Sequence, residues 1–221
     1  MGSHTAVKDL LAAGATFKSD RSSDLIRKAI HSRSKLCVEL LLKHSANPLA
    51  LDSRGATLIH TAAAGCDTLE ILKPLLQAGI ELDSPNIHKC TPLSFTPLND
   101  NHKVARLLLS KGANINNVDK DGDTPLTEAV RLNAHNCLRL FVELGASLET
   151  INKRGWTVLH FPGAYGDAVT MEVLSTACLS AEMVLLVDND GNTPRILFER
   201  RRLASSEVTR GFESLILSLR S

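Results

Sequence analysis

Apolar and polar positions along this chain alternate in paired blocks. The second block of a pair carries a tight apolar run followed by a small-residue stop: Leu40-Leu41-Leu42 before Ser45-Ala46, Leu107-Leu108-Leu109 before Gly112-Ala113, and Leu140-Phe141-Val142 before Gly145-Ala146. Flanking apolar residues keep helical spacing, which predicts short helices buried on one face. Between pairs lies a polar segment that opens with Asp or Asn and, in four cases of five, has Gly three residues later. That is a turn signal, because Gly adopts a positive φ without steric cost. Thr124-Pro125 then marks a helix start, with a hydroxyl that can cap the helix and a proline at the position that needs no amide donor.

The turns begin at Asp52, Asn86, Asp119, Asn152 and Asp188, at spacings of 34, 33, 33 and 36 residues. Self-similarity at this period means a solenoid. The chain resembles the ankyrin-repeat family, whose T-P-L-H-x-A signature is best matched by Thr124-Pro125-Leu126-Thr127-Glu128-Ala129 and nearly matched by Thr57-Leu58-Ile59-His60-Thr61-Ala62. The resemblance implies an all-α solenoid, each unit a β-turn plus an antiparallel helix pair, forming a single elongated domain over residues 5–221. The expected units are a partial one at 5–18, then 19–51, 52–85, 86–118, 119–151 and 152–187, with a C-terminal cap at 188–221.

Departures from the repeat predict where it deforms. Val7 to Ala15 reads as the end of a second helix, so the array is expected to begin inside a repeat. Asp24-Leu25-Ile26-Arg27 is a degenerate signature, and Lys89 stands where the turn glycine belongs. Pro74 falls within a second helix and predicts a kink or an early break, while Pro97 predicts a short or bent first helix. Pro162 and Gly163 replace the alanines of the fifth unit, and about three extra residues follow its second helix near Cys178 to Met183. Val208, Phe212, Leu215, Ile216 and Leu219 share one face of a final helix that can close the array.

Composition narrows the classes. An apolar content of 43% excludes general disorder, and the 4% of aromatic residues suits a core of Leu, Ala, Val and Ile. A net charge of +1 gives no global field toward nucleic acid or an anionic membrane. The five cysteines lack a C-x-x-C pair, which fits a reducing compartment, and Cys37 and Cys137 occupy equivalent core positions. With neither a signal peptide nor a membrane-spanning apolar run evident, the expected location is intracellular, cytoplasmic or nuclear.

No phosphate loop, nucleophile elbow, H-E-x-x-H or zinc-spaced Cys/His cluster occurs, so no catalytic residue, metal site or cofactor is assigned and the chain reads as a non-enzyme. His60 and His160 occupy the signature histidine position, which the resemblance assigns to tying adjacent turns together. It also implies a protein-interaction module, a scaffold or adaptor with no small-molecule substrate. Partners would meet the turn tips and the inner face of the first helices, including Ala56, Trp156 and Asn192 four residues into their turns. The expected partner-binding residues are Trp156, Tyr165, Arg131, Leu132, Lys153, Arg154, Asp121 and Asp123. They include the only Trp and the only Tyr, and aromatic residues and Arg are frequent interface hot spots. The competing reading has Trp156 pack against the neighbouring turn. Two other functions are weighed: reading a modified or cationic, histone-like tail through Trp156 and Tyr165, and contacting nucleic acid or membrane through Arg200, Arg201, Arg202 and Arg210.

Overall fold

The computed structural model describes residues 19–44, 46–65, 68–201 and 205–219; the expected partial unit at 5–18, and Ser45, Cys66 and Arg202, lie outside the described residues. The turn-opening residues Asp52, Asn86, Asp119, Asn152 and Asp188 share one local architecture. Each side-chain oxygen accepts the backbone N–H groups two and four residues on, at 2.8–3.1 Å. Each residue's own N–H donates to the carbonyl four residues on. The short acidic or amide side chain thereby satisfies backbone groups that a turn would leave to water. Lys89 keeps this turn with φ at +59°, in the left-handed region where a Cβ is strained.

Each turn feeds a first helix, and a second helix follows. The pairs are α1 (Ser19–His31) with α2 (Lys35–Lys43), and α3 (Leu58–Ala64) with α4 (Leu69–Gln77). The third pairs a 3-10 helix (Pro92–Asn99) with α5 (His102–Ser110). Then come α6 (Pro125–Arg131) with α7 (His135–Glu143), α8 (His160–Ala164) with α9 (Ala168–Ser175), and α10 (Pro194–Glu199) with α11 (Ser206–Ser218). No strand occurs among the described residues. First helices pack on first helices and second on second: α1 on α3 and α2 on α4, then α6 on α8 and α7 on α9. The α-solenoid expected from the repeat pattern is therefore present.

Two compact units divide the chain, one ending at Asn114 and the other beginning at Ile115. The first buries Leu58, Ile59, Ile71, Leu72, Leu75 and Leu108; the second buries Leu126, Val130, Leu138, Phe141, Met171 and Leu174. Each such side chain contributes about 1.5–3 kcal/mol by leaving water. Phe212, Leu215, Ile216 and Leu219 of the last helical segment are buried, with α11 lying on α9 and Phe212 stacked on Phe198 at 4.1 Å. Cys37 and Cys137 are buried and outside any disulfide, as their apolar surroundings imply.

The irregular repeats deform in different ways. Pro97 lies inside the 3-10 helix that replaces a first α-helix. Pro74 does not break α4, which runs nine residues to Gln77 like its counterparts α5 and α7. The proline withholds one bond from the carbonyl of Glu70, an exposed residue, so the loss is local. Helix α8 is only five residues long, against seven for α3 and α6. Its Gly163 is a packing requirement as well as a helix weakener: a Cβ there would collide with the Pro194 carbonyl oxygen of α10. The extra residues after α9 form a 3-10 turn, Ala181–Val184, followed by exposed Leu185, Leu186 and Val187.

Candidate functional site

Polar side chains inside the array join one repeat to the next. His60 Nδ1 accepts the Thr57 N–H at 3.1 Å, which leaves Nε2 to donate to the Cys90 carbonyl of the following turn at 3.0 Å. His160 repeats this with the Thr157 N–H and the Asn192 carbonyl, at 3.0 and 3.2 Å. Burial holds both imidazoles below the ordinary histidine range, against the opposing pull of the carbonyl each one donates to. These are structural histidines.

Arg27 stands at the equivalent signature position and serves the same joint. Its guanidinium donates to the carbonyls of Ala56 at 2.7 Å and Ala50 at 3.1 Å, and to the Thr61 hydroxyl at 2.7 Å. Ala56 is the counterpart of Cys90, so the degenerate signature retains the joint with different chemistry. Sequence reading missed this because Arg and His look unrelated until their shared acceptor is visible.

A second joint, also unforeseen, centres on Asn133 after α6. With φ at +52°, its amide donates to the Tyr165 carbonyl at 3.1 Å, and its Oδ1 accepts the Asp167 N–H at 3.0 Å and the Thr170 hydroxyl at 2.8 Å. Asn tolerates the left-handed region better than most residues, which is the signal that could have flagged it. Beside it, His135 Nε2 lies 2.8 Å from the Asp167 carboxylate. Burial disfavours that carboxylate's charge, but the Thr170 N–H, His135 and the Thr170 hydroxyl outweigh it and keep Asp167 below the usual range.

The expected partner-binding residues all fall in the unit that begins at Ile115. Trp156 is half-buried, as are Cys90 and Asp123 at equivalent turn positions, while Ala56 and Asn192 there are buried. That position therefore faces inward more than expected, because its N–H and carbonyl close the turn on Asp or Asn. The Trp156 indole N–H donates to Asp188 Oδ2 at 3.1 Å, and the ring meets Phe161 edge-on at 5.1 Å and Tyr165 at 6.0 Å. Asp188 is buried; burial opposes its charge, yet bonds from Asn192, Asp190 and Trp156 keep its carboxyl below the ordinary range. Trp156 is thus held in place by packing on part of its surface, with the rest open.

Around it the geometry is uneven. The Arg154 guanidinium lies over the Trp156 ring at 5.5 Å, and Tyr165 is 45% exposed. Lys153 and Asp121 are exposed neighbours across one joint, the Lys153 N–H donating to the Asp121 carbonyl at 2.9 Å. Asp123 is half-buried: burial raises its carboxyl, opposed by the Asn152 amide at 2.7 Å. Arg131 is exposed but committed to Glu128 of its own helix, through Nε at 2.9 Å and a second bond from Nη2. Leu132 caps α6 next to Asn133, half-exposed. The arrangement brings Arg154 and Tyr165 against Trp156, the Tyr165 ring tilted to it, with Asn133 linking the end of α6 to Tyr165.

The basic run is not a continuous exposed strip. Arg201 is half-buried, donating to the Gly166 carbonyl at 2.7 Å and the Pro162 carbonyl at 3.2 Å while covering Phe198. Among the described residues no group of three or more His, Cys, Asp or Glu could hold a metal, and no helix is long and apolar enough to cross a membrane. A family model described as ankyrin repeats (3 copies) matches residues 67–152 and 93–178. Comparison with curated proteins found no match.

Proposed function

Because the chain belongs to the ankyrin-repeat family, whose repeats are in general protein–protein interaction modules, we propose that it is a non-catalytic scaffold or adaptor inside the cell. Its partner-binding patch comprises Trp156, Tyr165, Arg131, Leu132, Lys153, Arg154, Asp121 and Asp123. The observation that carries this reading is the exposure of Tyr165 beside a tryptophan locked in place by Asp188 and Phe161. A rigid aromatic platform gives contact area at little entropy cost.

The two other functions fit less well. A methylated or cationic tail would need an open ring face on Trp156, and the chain's own Arg154 lies over that ring. A phosphate-binding strip would need Arg201, which is pinned to backbone carbonyls.

Tyr165→Ala tests the patch, since the exposed ring can be removed without touching the Trp156–Asp188 bond. Partner captured by the full chain should bind this variant about tenfold or more weakly, with melting nearly unchanged. Arg54→Ala, in the unit ending at Asn114, is the control and should bind as before. Equal loss in both variants, or in neither, would place the contact elsewhere.

A further inference from the structure

We infer that Arg154 is a preformed carboxylate receptor, and that the partner segment presents an acidic residue next to an apolar one. This rests on the patch proposed above and adds the chemistry of its ligand. Four observations carry it. The Arg154 backbone is fixed at both ends: its N–H donates to Asn152 Oδ1 at 2.9 Å and its carbonyl accepts the Asn189 N–H at 2.9 Å. The guanidinium rests over Trp156, itself held by Asp188 and Phe161, so much of the entropy cost of ordering the side chain is already met.

No carboxylate of the described residues forms an ion pair with Arg154, whereas Arg131 is paired with Glu128 and Arg195 with Glu199 and Glu213. Asp123 acts on Arg154 only through space, and its Oδ1 accepts from Asn152. Finally, Lys153 adds a second exposed positive charge at the same turn, and Tyr165 offers an exposed aromatic ring 6.0 Å from Trp156. A planar guanidinium held over the indole presents parallel donors that match a carboxylate, which a lysine ammonium cannot reproduce. The apolar neighbour of that carboxylate would settle on Tyr165 and Leu132.

The probe is a displayed library of random peptides panned on the full chain, with binding of selected peptides measured by fluorescence polarisation. Selected sequences should combine Asp or Glu with an adjacent aliphatic or aromatic residue. Their affinity should fall about tenfold or more for Arg154→Ala and remain low for Arg154→Lys. It should also weaken when the acidic residue of the peptide becomes its amide. Peptides that lose affinity for Tyr165→Ala but bind Arg154→Ala like the wild type would overturn the carboxylate assignment and leave the patch standing. Peptides indifferent to both variants, or a library yielding no binder, would overturn both.

Discussion

At the residue scale, the repeat is held by side chains that close backbone bonds, and substitutions there have directional consequences. Lys89 takes the turn conformation that Gly takes at four other turns. Lys89→Gly should raise stability by about 1 kcal/mol, because relief of left-handed strain exceeds the chain-entropy cost of glycine; an unchanged or lower midpoint in urea would contradict this. Gly163 gives the opposite case. Restoring the alanine that the repeat carries at the equivalent Ala63 drives a Cβ into the Pro194 carbonyl, so Gly163→Ala should destabilise by about 1–3 kcal/mol. These glycine and lysine anomalies were legible in the sequence as departures from a pattern. The purpose of Gly163 was not, because its neighbour lies one repeat away on α10.

The histidines set a pH dependence at the same scale. His60 and His160 have folded-state values below the ordinary histidine value, so below about pH 6.5 the unfolded chain takes up protons that the folded chain resists. Stability should be level above that point and fall as the pH drops below it. Urea unfolding at pH 7.5 and pH 5.5 checks the sign, and equal or greater stability at the lower pH would refute the burial of neutral imidazoles. Carboxylates such as Asp167 and Asp188 act only lower down, since their values are depressed and their contribution disappears as the pH falls through the ordinary aspartate range and below.

At the element scale, helix existence followed from apolar spacing, and the turns from Asp, Asn and Gly positions. Proline effects did not follow one rule. Pro97 is the sixth residue of a first helix and the segment is 3-10, whereas Pro74, also sixth in its helix, sits among buried Ile71, Leu72 and Leu75 and the α-helix persists. Burial on one face outweighs a single missing bond when the unpaired carbonyl belongs to an exposed residue. Helix α8 is the shortest α-helix among the described residues, and Pro162 gives it no amide of its own there. Native-state hydrogen exchange should therefore find its amides opening at lower free energy than those of α6, which carries a reciprocal Thr124–Thr127 cap. Equal protection of the two would contradict this ranking.

At the scale of the whole molecule, the fold was legible because a period near 33 residues repeats one local solution, and stacking supplies the core that no repeat could bury alone. The candidate patch was legible only as a set of unusual residues on an expected face. That the Trp156 indole bonds Asp188 depends on a partner 32 residues distant, beyond any local pattern, whereas the Arg131–Glu128 pair and the Arg154 cover on the indole join residues close in the chain.

The most direct test of the proposed binding surface is an amide and indole N–H chemical-shift titration of the full chain with a library-selected peptide. Shifts should concentrate at residues 131–133, 153–156 and 165, with the Trp156 indole signal moving early and Arg154→Ala weakening the response. Shifts confined to the second helices α7 and α9, with the Trp156 indole unmoved, would contradict it.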